Sequence, residues 1–338
     1  MIRKYTPYIF FISILLIFGC KQKDSNKSNE TTDSTGRKKV ELTYLNEQII
    51  AHPDQADLYF KRAEIFTQKN DQRQALNDVE KAISLDSGKT VYYALLADLS
   101  FKTLQIQKSV KSFEKIRELD PKNIEANLKL AEIYLYIKGY PKCLYYADEA
   151  LKIDKNKAKA YFLKGFAFKE NGDTSHALSS FQTVVEIEPE NYDAYIQLGN
   201  IQAARKNKIA LQYYNNALRL SPKSTEALYN RGLMYQNMGD LEKATEDYHT
   251  ILTIDPAYSD AHYNLGYIAL VFSKDYPAAI THFTEAIRAN NQYAEAFYNR
   301  GLAYEFSGDK TTAEKDYREA LKIIPTFKLA LKKLGKGK

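Results

Sequence analysis

Few side chains in this 338-residue sequence are spaced for chemistry. His262 and His282 lie 20 positions apart on neighbouring helical patterns, and two imidazoles so placed could share a transition-metal ion. His262, however, stands where other parts of the chain carry an aromatic core residue, and His282 reads as a surface side chain, so no metal site is expected. His52, His176 and His249 are isolated. Glu186 and Glu188 bring two carboxylates together, the raw material of general acid–base chemistry. They sit in an acidic helix end with no recurring partner and read as solvated charge. Ser179-Ser180 offers hydroxyls with no base at a recurring place. The glycines recur at one regular spacing and form no phosphate loop. Catalysis and a cofactor are therefore not expected. Cys20 and Cys143 are too unlike in context to suggest a disulfide framework.

The side chain that does recur is tyrosine. The chain holds 27 Tyr and 16 Phe and no Trp. Such a semi-polar aromatic stock suits packing between helices and binding surfaces. The formal charge of +6 is uneven: +2 comes from Arg3 and Lys4, +3 from residues 21–39 and +5 from the tail after Pro325. The body, residues 40–325, is left at −4. A nucleic-acid partner is not expected, because neutralising phosphates takes a basic stripe.

The segment from Met1 to Cys20 combines a short basic start with an apolar run from Tyr8 to Phe18. That run is short for a bilayer span, which takes about 20 apolar residues, and reads as a signal-peptide core. Ile17-Phe18-Gly19-Cys20 closes it. This resembles a bacterial lipobox, departing from the usual pattern at Phe18. The resemblance implies cleavage before Cys20, a diacylglycerol anchor on its thiol, and a place on a bacterial cell-envelope membrane. Lys21 after the cysteine, in place of Asp, favours the outer membrane. Residues 21–39 contain no large apolar side chain and read as a disordered tether, with a root-mean-square span of roughly 24 Å.

Behind the tether the sequence repeats. Prolines at 121, 189, 222, 256 and 325 and glycines at 165, 199, 232, 266 and 301 fall near multiples of one common period. Alanines at 131, 97 and 63 continue the glycine column backwards. Eight units begin near residues 56, 90, 124, 158, 192, 225, 259 and 294 and end near 327. Within each, apolar residues recur at helical spacing, break at a turn such as Gly239-Asp240, and recur again until a stop such as Asp255-Pro256. Each unit is therefore predicted to be two helices. Pro141 and Pro277 suit the first turn of a second helix. Gly or Ala in the eighth place, facing Ala75, Ala177, Ala210, Ala244, Ala279 and Ala313, lets the two helices approach closely, and Cys143 belongs to that buried small column. Unit five lacks one residue near "RKNK" and unit seven has one extra in "VFSKDY". Both changes are expected in loops.

This pattern resembles the tetratricopeptide repeat, whose signature is an aromatic, Leu-Gly, Tyr, Ala, an aromatic and Pro at fixed places in a unit of about 34 residues. Unit four matches with Tyr161, Gly165, Phe168, Ala177, Phe181 and Pro189, and unit eight with Phe297, Gly301, Tyr304, Ala313, Tyr317 and Pro325. Lys164, Arg231 and Arg300 replace the Leu before Gly. Residues 40–55 align with a second helix, a half-repeat ending at Pro53. Residues 326–335 align with a first helix, Lys-rich and suited to capping the end. The resemblance implies an all-α fold: a right-handed α–α superhelix over residues 40–338, with eight repeats in 56–327, making about one turn around a concave groove.

By the family's geometry, places two, five, nine and twelve of each first helix line that groove. Here they include Tyr229, Tyr263, Tyr267, Tyr298, Gln236, Asp260, Glu226 and Glu295, with Phe162 and Phe166 in unit four. An aromatic groove edged with acid would suit an extended or helical protein segment carrying basic residues. The same tyrosines could instead pack against the next repeat. Asn200 matches one Asn place of the family's chaperone-tail clamps, but Ile196 replaces the Lys beside it, so no clamp is expected. The reading is a lipid-anchored, non-enzymatic adaptor for a protein or peptide. The alternatives are a glycan or cell-wall binding protein, since tyrosine faces also stack on sugars, and a regulatory subunit of an envelope enzyme.

Overall fold

The computed structural model describes residues 34–335. The leader, Cys20 and the first part of the tether lie outside those residues. Every regular element within them is helical. The chain divides into two compact units at Leu85/Asp86.

The first unit contains α1 (Ser34–Ala51), α2 (Ala56–Gln68) and α3 (Gln72–Leu85). Helix α1 begins at Ser34, so helix replaces the end of the expected tether, 34–39. Arg37, Lys38 and Lys39 are good helix formers. Extending a helix already packed through Leu45 and Ile49 avoids the cost of a new nucleus.

The second unit alternates first (A) and second (B) helices of successive repeats. Its A helices are α4 (Thr90–Lys102), α6 (Ile124–Tyr136), α8 (Ala158–Glu170), α10 (Tyr192–Ala204), α12 (Thr225–Met238), α14 (Ser259–Ile268) and α16 (Ala294–Phe306). Its B helices are α5 (Ile106–Leu119), α7 (Tyr140–Ile153), α9 (Thr174–Ile187), α11 (Ala210–Leu220), α13 (Leu241–Ile254), α15 (Tyr276–Ala289) and α17 (Lys310–Ile323), and α18 (Lys328–Lys333) follows. With α2 included, A helices begin at the eight places the period predicts. Each A helix packs on its own B helix, and each B helix of this unit on the A helix after it.

The small column shows why the period is kept. In repeats four to eight a B-helix ring lies over the A-helix glycine: Phe181 over Gly165, Tyr214 over Gly199, Tyr248 over Gly232, Phe283 over Gly266 and Tyr317 over Gly301. A Cβ added at those glycines would lie 2.5–2.9 Å from the ring, inside van der Waals contact. Ala75, Ala177, Ala244, Ala279 and Cys143 are fully buried, and burial pushes the Cys143 thiol up to about 12, leaving it an inert packing group. Pro141 and Pro277 occupy the first turns of α7 and α15.

The length changes resolve differently from expectation. In repeat five the missing residue shortens α11, which begins at Ala210. In repeat seven the extra residue is held inside helical structure: α14 passes into a wide π-turn, Ala269–Ser273, which ends at Lys274 with φ +53°. Widening one turn absorbs a residue while keeping Ala269 and Leu270 buried, which a bulged loop would not do.

Candidate functional site

The A helices of repeats four to eight bring the predicted groove residues to one kind of position. Phe162, Phe166, Tyr229, Tyr263, Tyr267 and Tyr298 are all half-buried. The B-helix aromatics of the same repeats, Phe181, Tyr214, Tyr248, Phe283 and Tyr317, are buried. Repeats four, six, seven and eight thus spend one ring on the core and leave another partly open to solvent, while in repeat five the corresponding place is taken by the buried Ile196.

The open rings also hold the repeats together. Tyr263 stacks on Tyr293 with ring centres 4.8 Å apart, and its hydroxyl accepts from Asn299 Nδ2 at 2.8 Å. Tyr229 lies 5.9 Å from Tyr258, and Tyr298 lies 5.3 Å from Phe327. Tyr258, Tyr293 and Phe327 are the last residues of repeats six, seven and eight. The packing role is therefore real for these three tyrosines. Tyr267 differs: its ring meets Phe272 edge-on at 6.3 Å, beside the π-turn. Phe162 and Phe166 lie 4.9 Å apart and both lean on Phe181.

The polar members of the set are tied inward as well. Asn200 Oδ1 accepts the Tyr214 hydroxyl at 2.9 Å, and Gln236 Oε1 accepts that of Tyr248 at 2.8 Å. Asp260 accepts the hydroxyl of Tyr293 at 2.9 Å. Tyr192 reaches Ser224 at 2.6 Å and Glu226 at 3.4 Å, linking repeats five and six. Burial pushes the Tyr192 hydroxyl up to about 12 and that of Tyr293 higher still, so both remain protonated donors. Glu295 is half-buried.

Arg231 and Arg300 occupy the place of the family's Leu. Each guanidinium binds a B-helix carboxylate with two nitrogens: Arg231 to Asp247 at 2.6 and 3.0 Å, Arg300 to Asp316 at 2.8 Å twice. A further nitrogen reaches the preceding repeat, at Asn215 Oδ1 for Arg231 and Thr284 Oγ1 for Arg300. Arg62 repeats the device in the first unit with Asp78 and Asn46. Only a planar fork serves three acceptors in this way. In the sequence Arg231 and Arg300 stand only as departures from the family's Leu. The signal was present: an Asp follows each Arg at the same offset, as Arg62 and Asp78, Arg231 and Asp247, Arg300 and Asp316 show.

The histidines are less scattered than expected. His282 is half-buried, 6.1 Å from the His262 ring and 6.4 Å from that of His249, which is therefore not isolated. His262 Nε2 lies 3.0 Å from the carbonyl of Pro256. Burial, then the neighbouring imidazoles, hold His282 below its ordinary value. Among the described residues no group of three or more His, Cys, Asp or Glu is gathered to hold a metal ion.

Comparison with known proteins agrees with this architecture. Family profiles described as tetratricopeptide repeat match residues 56–89, 158–191, 225–258 and 294–327, and one described as TPR repeat matches 269–308. The chain is 29% identical over 161 residues to human tetratricopeptide repeat protein 6, covering 46% of this chain and 29% of that one. It is 24% identical over 256 residues to BBSome complex member BBS4 of Bos taurus, covering 72% of this chain and 49% of that one. It thus spans half or less of the length of these two relatives. Among solved structures, the C-terminal part of a TPR repeat-containing protein from Cytophaga hutchinsonii superposes with a TM-score of 0.62 at 18% identity, covering 73% of this chain and 99% of that one. PilW, titled a type IV pilus biogenesis factor, superposes at 0.53 with 17% identity, covering 62% and 98%. At these identities the structural likeness is one of fold. Eight in-phase helix pairs and matched repeat profiles in both halves lead to one conclusion: the chain is a tetratricopeptide repeat protein.

Proposed function

We propose that this protein is a non-enzymatic adaptor, tethered through a lipid on Cys20 to a bacterial envelope membrane, that grips a protein or peptide segment along the A-helix face of repeats four to eight. The observation that carries the binding reading is the split between aromatics. The B-helix rings that cover the glycine column are used by the core, whereas Phe162, Phe166, Tyr229, Tyr263, Tyr267 and Tyr298 remain half-buried at recurring A-helix places of repeats four, six, seven and eight. A row of partly open rings at helix-pair spacing suits an elongated ligand that meets several repeats. The tether reading rests on the lipobox-like Ile17–Cys20 and the polar residues after it.

The test is capture from detergent-solubilised envelope by the full chain and by Tyr267→Ala. Tyr267 is chosen because the other groove tyrosines also brace the repeats. An aromatic anchor contributes about 2 kcal/mol, so loss of about thirtyfold in affinity is expected, with an unchanged melt. Undiminished capture by the folded variant would move the site off this face. Capture of glycan without protein would favour a cell-wall binding role.

A further inference from the structure

The turns between A and B helices in repeats two and three depart from those of repeats four, six and eight in three ways, and repeat five shares them, with no acid at its turn, Lys206 at φ +56° and an uncapped helix start at Ile209. The first is charge. Residues 99–113 and 133–147 contain no Asp or Glu and five lysines, Lys102, Lys108, Lys111, Lys138 and Lys142. The second is capping. Helices α9, α13, α15 and α17 start on Asp173, Asp240, Asp275 and Asp309, each accepting a backbone N–H. Helices α5 and α7 start on Gln105 and Gly139, with no side-chain cap. The third is the turn residue itself. Where repeats four, six and eight place Gly172, Gly239 and Gly308, repeat two places Leu104 at φ +59° and repeat three places Lys138 at φ +59°.

Each departure works against the fold. An acidic N-cap stabilises a helix start. A leucine with positive φ is strained where glycine is not. Leu104 is also 72% exposed, with Tyr136 at 46% and Ile137 at 45%, although apolar side chains gain nothing from water. The two turns are neighbours: Phe101, before Leu104, meets Tyr136 edge-on at 5.5 Å.

We infer that these turns of repeats two and three lie against the surface of an anionic lipid bilayer, with Leu104 and Ile137 entering the headgroup–acyl boundary and the lysines pairing with lipid phosphates. Leu104, Tyr136 and Ile137 are exposed at the turns themselves. A bilayer accepts such points without shape matching. Tyr136 suits the headgroup level, where an aromatic body meets a polar tip. Omitting the acidic caps removes the repulsion that anionic lipid would exert on those turns.

The inference deepens the proposed membrane tether, but the two fail separately. The protein contains no tryptophan, so a single introduced Trp reports its own depth wherever else the chain is anchored. Full-length Leu104→Trp is mixed with phosphatidylcholine vesicles with or without phosphatidylglycerol. The expected result is blue-shifted emission, quenched by brominated lipid, only when phosphatidylglycerol is present. Ile254→Trp, at the far end of a B helix, should stay unshifted. Lys138→Gln with Lys142→Gln should weaken the response about thirtyfold. Leu104→Gly, which relieves the positive φ, should fold at least as stably as the parent yet bind anionic vesicles less. An unshifted Leu104→Trp on vesicle-bound protein would overturn the inference and leave the tether standing. A shift produced by an acidic polypeptide in place of vesicles would overturn it in favour of a protein partner.

Discussion

Gly232 shows how far one atom decides this fold. A Cβ there would sit 2.9 Å from the Tyr248 ring and 3.3 Å from Asp247 Cβ, and Asp247 is the carboxylate that Arg231 binds. Gly232→Leu should therefore destabilise by about 1–3 kcal/mol or more, because it overpacks the helix crossing and displaces an ion pair together. A circular-dichroism melt matching the parent would contradict that packing. The glycine column was legible in the sequence because a single physical demand, close approach, recurs at every repeat. The arginine forks were not, because an arginine at a family Leu place is ambiguous until its carboxylate is located on the facing helix. The aromatic ends of repeats six to eight were legible only in part. Tyr258, Tyr293 and Phe327 appear in the repeats that carry Tyr229, Tyr263 and Tyr298, and that co-occurrence is the trace of stacking.

At the scale of elements, the A-helix starts of the eight repeats were legible because turn residues and prolines mark the repeat chemically, whereas the starts of α1 and α11 were not. The π-turn of repeat seven was not, since a one-residue insertion has the same sequence appearance in a loop and in a widened helical turn. The seam between repeats six and seven carries its own consequence. His249, His262 and His282 come from α13, α14 and α15, with His282 central and Asp275 opposing the effect of the two imidazoles. His282 titrates below its ordinary value of 6.5 in the folded state, so the unfolded chain binds protons more readily. Stability is then full above about 6.5 and is lost as pH falls below it. The melting temperature should drop between neutral and mildly acidic pH, and His282→Gln should flatten that drop. An equal slope in both proteins would remove His282 from the account.

At the scale of the molecule, the sequence exposed the repeat count and phase but left the binding face divided between packing and recognition. The tyrosines that brace repeats six to eight are also half-buried, so recognition as proposed would share them with packing. Recognition by this face is the central claim. It is tested most directly by placing a photo-crosslinking residue at Tyr267, on the A-helix face, or at Tyr145, 51% exposed on B helix α7, and irradiating the envelope-bound protein. The account predicts a discrete protein adduct from position 267 and none from position 145. An adduct from 145 with none from 267 would contradict it.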